Sequence, residues 1–187
     1  LSFSIPAELS NLTGLRSLEL FGIEWDALPV PICSLTNLQR LDLSSAEELR
    51  TLPDPEFSNL INLRYLDMRE NAFEELPEVI ASLQNLRELD VSDSVELVRI
   101  PDCIHRLRSL KKIDLSGCIS VKSLPATIGK LPNLTDLNIS RTKKLTKLPN
   151  EICNIKTLEV LDANESSIEK LPDPILLSDL VNLRVLN

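Results

Sequence analysis

The sequence holds few of the residues on which catalytic and ligand-caging chemistry most often depends. Its 187 residues include one histidine, four glycines, four phenylalanines, one tryptophan and one tyrosine. A single imidazole, His105, excludes a multi-histidine metal centre and most His-based catalytic sets. There is no Gly-rich loop to cradle a phosphate, and neither HExxH nor GxSxG occurs. No apolar run approaches the roughly 20 residues of a membrane span, and the opening LSFSIPAELS lacks the basic and apolar regions of a signal peptide. The four cysteines, Cys33, Cys103, Cys118 and Cys153, show neither CxxC spacing nor a terminal cluster. That pattern points to a reducing, cytoplasmic setting and to thiols used as small buried fillers. Cys103 and His105 flank Ile104; with Ile104 turned inward they diverge, which argues against a thiol–imidazole pair. No catalytic residue, metal or cofactor is implied.

What the chain has is leucine at a fixed period, in a composition, 43% hydrophobic and 26% charged, that supports a packed core. The pattern LxxLxL recurs as LRSLEL from Leu15, LQRLDL from Leu38, LRYLDM from Leu63, LRELDV from Leu86, LKKIDL from Leu110, LTDLNI from Leu134 and LEVLDA from Leu158, and as a truncated LRVLN from Leu183. Successive starts lie 23 to 25 residues apart. A second marker, an aliphatic residue followed by proline, keeps the same period at Ile5-Pro6, Leu28-Pro29, Leu52-Pro53, Leu76-Pro77, Ile100-Pro101, Leu124-Pro125, Leu148-Pro149 and Leu171-Pro172. Two independent markers with one period define a repeat architecture.

The alternation in LxL predicts a short strand with one face buried, and the PxxIxxLxxL part predicts a helical or 3₁₀ return. No single repeat buries its own leucines, so repeats stack strand on strand at about 4.8 Å. The expected fold is an α/β solenoid, a horseshoe with a parallel sheet on its concave wall and short helical or 3₁₀ segments on its convex wall. Residues 1–187 form one domain of about seven to eight repeats, which reads as a segment of a longer protein. Links between strand and proline come in two lengths, anchored inward by Trp25, Phe73 and Ile168 or by Leu49, Leu97, Val121 and Leu145. The convex side carries insertions at LPDPEFSNLINL and LPDPILLSDLVNL.

Over essentially its full length the chain resembles the leucine-rich-repeat family. It is most similar to the cytosolic subclass written LxxLxxLxLxxCxxLxxLPxxI, best matched by LKKIDLSGCISVKSLPATIGKL from Leu110 to Leu131. That subclass occurs in plant intracellular immune receptors, plant intracellular Ras-group-related repeat proteins and type III effectors of plant pathogens. Only the first copy, IPAELSNLTGLRSLEL, leans toward the secreted plant type. The chain departs from the family at the ladder position, which holds Ile23, Ala46, Asn71, Ser94, Cys118, Thr142 and Ser166, only one of them asparagine. Fewer side-chain bonds to the loop backbone are expected there.

The resemblance implies a non-catalytic protein-recognition module of an intracellular protein in plant immunity or host–pathogen signalling. The alternative it implies is the substrate-docking part of an effector enzyme, a ubiquitin ligase or nucleotide transferase with its catalytic domain elsewhere. The strand pattern places three columns on the concave face. The first runs Ser17, Arg40, Tyr65, Glu88, Lys112, Asp136, Val160; the middle Glu19, Asp42, Asp67, Asp90, Asp114, Asn138, Asp162; the third Phe21, Ser44, Arg69, Ser92, Ser116, Ser140, Asn164. Candidate protein-binding residues are Phe21, Arg40, Asp42, Tyr65, Asp67, Arg69, Glu88, Asp90, Lys112 and Asp114. Aromatic and Arg side chains dominate interface energetics; the acid row either awaits a basic partner or pairs with Arg40, Arg69 and Lys112. Residues 1–97 hold 18 acids and 6 bases, whereas 98–187 hold 10 acids and 14 bases. The basic cluster Arg141, Lys143, Lys144 and Lys147 is too small on so acidic a chain to indicate nucleic acid. The expected partner is a protein, without membrane insertion.

Overall fold

The structure, a computed structural model, describes residues 5–187, the side chains of Pro174 and Ile175 excepted; residues 1–4, part of the segment read above for a targeting signal, lie outside it. Eight strands, β1 (Ser17–Glu19), β2 (Arg40–Asp42), β3 (Tyr65–Asp67), β4 (Glu88–Asp90), β5 (Lys112–Asp114), β6 (Asp136–Asn138), β7 (Val160–Asp162) and β8 (Val185–Leu186), form one parallel sheet in sequence order. Register follows the repeat: Arg40 pairs with Tyr65, Leu41 with Leu66 and Asp42 with Asp67, and so along the sheet. A period-two pattern on coils of nearly constant length allows no other register, because a slip of one residue would turn every strand leucine outward.

The return segments are 3₁₀ for a reason visible in their spacing. Apolar residues recur every third position, and a 3₁₀ turn has three residues. In one coil Ile32 N–H donates to Pro29 O, Leu35 N–H to Ile32 O and Leu38 N–H to Leu35 O, at 2.9 to 3.1 Å. The coils around Pro77 and Pro101 repeat this relay. Proline sits at the N-cap, where its missing N–H costs nothing. The first insertion is absorbed by moving the inward residue one place on: Phe57 N–H donates to Pro53 O, and its ring is fully buried. At the second, the return becomes an α-turn, Pro174–Leu177.

The core is one continuous column between the two walls. Strand centres Leu41, Leu66, Leu89, Ile113, Leu137 and Leu161 are 0–4% exposed. The link anchors Leu49, Phe73, Leu97, Val121 and Leu145 are buried with them, while Trp25 and Ile168, in the outer coils, are only partly covered. Truncating an interior leucine to alanine is expected to cost about 2–5 kcal/mol.

After each of the first seven strands the chain turns through one residue in the left-handed region: Gly22, Ser45, Glu70, Asp93, Gly117, Arg141 and Glu165, with φ between 54° and 70°. The ladder position follows this turn. Asn71 Oδ1 accepts the Ala46 N–H at 3.0 Å, and Asn71 N–H donates to Ser94 Oγ at 3.3 Å. Ser94 Oγ in turn donates to Met68 O, and Cys118 Sγ to Val91 O at 3.1 Å. Serine and cysteine therefore keep part of the bridging that the loss of asparagine was expected to remove. A second asparagine row, not foreseen from the sequence, lies just before the strands. Asn37, Asn62, Asn85, Asn133 and Asn182 each donate Nδ2–H to a carbonyl of the preceding coil at 2.6 to 2.9 Å.

Candidate functional site

The ladder register places the predicted columns side by side on the concave face, but the columns differ in what they offer. In the middle column the side chains from Asp42 onward fold back on their own turns. Asp42, Asp67, Asp90, Asp114, Asn138 and Asp162 each accept the N–H two residues on, at 2.8 to 3.2 Å. Asp42 and Asp90 also accept the Ser44 and Ser92 hydroxyls at 2.6 Å. Asp and Asn suit this place because a short side-chain oxygen reaches that N–H. The acid row thus caps the turns that end the strands. The third column is closed in part: Ser44, Ser92 and Ser116 are buried under these bonds, whereas Phe21, Arg69 and Asn164 stay exposed.

What remains open falls into three parts. Phe21, near the N-terminal end, is 71% exposed. Next, the Arg40 guanidinium lies 5.6 Å from the Tyr65 ring centroid, a cation–π geometry. In the adjoining turn Arg69 forks onto Asp67, with Nε to Oδ1 and Nη2 to Oδ2 both 3.0 Å, and approaches Asp90 at 3.8 Å. The expected pairing of Arg69 with the acid row is therefore present. Arg40 faces an aromatic ring instead of a carboxylate, and among the described residues neither Arg40 nor Lys112 forms a salt bridge.

The third part is a depression of about 310 Å³ across β4–β7, lined by Glu88, Asp90, Lys112, Asp114, Asp136, Asn138, Val160 and Asp162 among others. Glu88, Asp90, Lys112 and Asp114 were candidates; the C-terminal lining was not, because it offers no aromatic or arginine to draw attention. Asn138 Nδ2 donates to Asp114 Oδ2 at 3.0 Å, and Thr135 Oγ1 to Asp136 Oδ2 at 2.6 Å. Partial burial pushes the Asp90 pKa above the usual range; the Ser92 bonds oppose this, and the Asp114 and Asp67 charges add to it.

The side chains singled out for chemistry lie elsewhere and are quiet. Burial pushes the Cys33 thiol up to about 11, with the Glu56 charge adding, and burial takes Cys118 up to about 12. Both are protonated near neutrality, as inert fillers are. His105 Nδ1 lies 2.7 Å from Asp102 O, whereas Cys103 Sγ faces Glu78 O at 3.9 Å, so the two turn to different partners. Among the described residues no cluster of three His, Cys, Asp or Glu side chains is arranged for a metal, and no helix is long and apolar enough to cross a membrane. Among the described residues, the cysteines and His105 are not arranged as a nucleophile beside a base, and the concave side chains present a contact surface.

An open parallel sheet backed by 3₁₀ returns in a single-layer coil defines a leucine-rich-repeat solenoid. Residues 54–144 match a family model described as a leucine-rich repeat region. The chain is similar to the leucine-rich repeat domain of the type III effector XopL, with 31% identity and a TM-score of 0.86 over 97% of this chain and 63% of that one. It therefore spans less than two thirds of that structure's length. The Drosophila Toll–Spatzle complex (20% identity, TM-score 0.74, 98% of this chain and 28% of that one) and the TLR13–ssRNA13 complex (23%, 0.78, 97% and 26%) share the fold. No curated protein matches the sequence.

Proposed function

We propose that this chain is a non-catalytic protein-recognition module whose concave face receives a protein ligand, within a cytoplasmic protein of plant immunity or host–pathogen signalling. The observation that carries the reading is the corner formed by Arg40, Tyr65 and Arg69. A stacked guanidinium and a forked one stand in adjacent coils, whose strands pair in register. Pre-ordered Arg and Tyr side chains lose little freedom on binding and make strong interface anchors. Phe21 extends the apolar contact. Asp42, Asp67, Asp90 and Asp114, with Glu88 and Lys112, supply a polar floor whose carboxylates are already positioned by turn bonds. The likeness to the Toll–Spatzle complex fits a protein ligand on this fold.

A second reading is favoured by the likeness to the XopL domain. On it, the same face docks substrates for a bacterial type III effector enzyme acting inside a host cell, a ubiquitin ligase or nucleotide transferase whose chemistry resides beyond these 187 residues. Affinity capture from plant cell lysate with the wild-type chain and with a Phe21→Ala, Tyr65→Ala, Arg69→Ala variant tests the concave assignment. A partner recovered by the wild type is expected to fall at least tenfold with the variant. Equal recovery by a variant that keeps its circular dichroism would rule out this face. Ubiquitin or nucleotide transfer to the captured partner by a longer form of the protein would select the second reading.

A further inference from the structure

Each coil enters its strand through a short segment, and these segments carry charge of nearly one sign. Residues 12–16, 35–39, 60–64, 83–87, 107–111, 131–135, 155–159 and 180–184 contain Arg16, Arg64, Arg87, Arg108, Lys111, Lys156 and Arg184 but only one acid, Glu159. In the last coils the cations are neutralised, Lys156 by Asp179 at 3.0 Å and Arg184 by Glu159 at 3.4 Å. Between β3 and β6 they are not. Among the described residues Arg64, Arg87, Arg108 and Lys111 form no salt bridge, and neither do Arg106 and Lys130 at the ends of the 3₁₀ segments Asp102–Arg106 and Ala126–Lys130.

Geometry draws these cations together. The carbonyls of Gln39, Arg64, Arg87 and Lys111 each accept two N–H groups from the next coil, at 2.8 and 3.0 Å. Arg64, Arg87 and Lys111 therefore rise in strict register, one step of about 4.8 Å per coil. Beside this row, His105, Arg106, Arg108 and Lys130 line a depression of about 610 Å³ together with Gln84 and Pro132. A carbonyl can only accept, so the 2.7 Å contact to Asp102 O places a proton on His105 Nδ1. Like charges on neighbouring steps repel, by roughly 1 kcal/mol per pair at about 5 Å even in water, and an anionic partner would relieve this.

We propose that this strand-entry edge, from Arg64 to Lys130, is a second docking surface, which takes a carboxylate-rich segment of a protein partner. Guanidinium forks match carboxylates in two-point contacts. A short acidic peptide meets only the local cations. A long nucleic acid would run past them onto the N-terminal coils, where residues 1–97 hold 18 acids against 6 bases. The surface lies at the entry edge of the sheet, apart from the Arg40–Tyr65–Arg69 corner, so it stands whether or not the concave face binds.

The test is fluorescence anisotropy at low salt with the 187-residue chain and a labelled ten-residue peptide of alternating Glu and Gly, beside a labelled oligouridine of equal charge. Saturable peptide binding is expected. It should weaken at least tenfold in an Arg87→Gln, Arg106→Gln, Arg108→Gln, Lys111→Gln variant, fall steeply with added salt, and survive both in Lys143→Gln, Lys144→Gln, Lys147→Gln and in the Phe21, Tyr65, Arg69 variant. All the substituted glutamine sites are exposed, so circular dichroism should be unchanged. Absence of saturable binding, equal loss in the Lys143–Lys147 control, or tighter binding of the oligouridine than of the peptide would each overturn the proposal.

Discussion

At Asp90 two physical effects pull the carboxyl in opposite directions. Partial burial and the neighbouring Asp114 and Asp67 charges favour its neutral form, while the Ser92 N–H and hydroxyl favour its charged form; the first set prevails and the pKa rises. A carboxyl whose folded pKa exceeds its unfolded one binds protons more readily when folded. Its contribution to stability therefore falls as pH rises from about 4 through the folded pKa, and is at its lowest at neutral pH. Asn138 shows that an amide in this column can accept the turn N–H, at 3.0 Å from Ser140, without the charge. Asp90→Asn is thus expected to stabilise the chain at pH 7 and to flatten its stability between pH 4 and 7, read from urea midpoints across that range. A lower midpoint at pH 7 would contradict the argument. Asp90→Ala leaves the buried Ser92 N–H without its acceptor and should be less stable than Asp90→Asn by about 1–3 kcal/mol at any pH, since neither variant titrates there. The left-handed turn residues give a second handle. Glu165 has φ 54° and forms no salt bridge among the described residues. Glu165→Gly relieves backbone strain but gains chain entropy in the unfolded state, so a net gain of about 0.5–1 kcal/mol is expected in the same titration.

Among the elements, the 3₁₀ segments are packed to different tolerances. A Cβ on Gly129 would meet the backbone carbonyl oxygen of Glu151 in the next segment, Asn150–Asn154. Backbone cannot swing aside as a side chain can, so Gly129→Ala should cost about 1–3 kcal/mol, measured by thermal or urea unfolding. The equivalent position holds Cys33, Ala81, His105 and Cys153 in other coils, so nothing in the repeat pattern marks Gly129 as special. This contrast shows what could be read from the chain. Strand register and 3₁₀ returns were legible because each follows from a period, two or three, that the leucines print directly. The capping by Asp42 through Asp162, the Asn37–Asn182 row and the left-handed residues were not, since each depends on where one particular backbone group lies. Of those seven turn residues only Gly22 and Gly117 carry the usual glycine signal. The Arg40–Tyr65 and Arg69–Asp67 contacts follow from columns the sequence placed correctly, whereas the closing of the serine column required the turn bonds to be seen.

For the whole molecule, the bridges Arg50–Glu96 and Arg141–Asp93 reach across two coils, but the sheet and the core join each coil to its immediate neighbours, so its stability is close to the sum of its own turn and two interfaces. Outer coils have one such interface. The burial shows it: Leu20 is only partly covered, whereas Met68, Val91 and Leu115, in the same place after β3, β4 and β5, are 0–2% exposed. All four N–H groups donate to the following coil, at 2.8 to 3.0 Å, so hydrogen-bond length does not separate them. What separates them is the cost of exposing the leucines around them, about 1.5–3 kcal/mol for each fully buried side chain. Opening should therefore begin at the outer coils and move inward, and native-state hydrogen exchange of this 187-residue chain should find the Met68, Val91 and Leu115 amides protected roughly 100-fold or more beyond that of Leu20. Equal protection at all four would mean that the sheet opens in one concerted step. In that case the interfaces between coils would outweigh the exposure of the ends, and the Arg40–Tyr65–Arg69 corner would be no more mobile than the centre of the sheet.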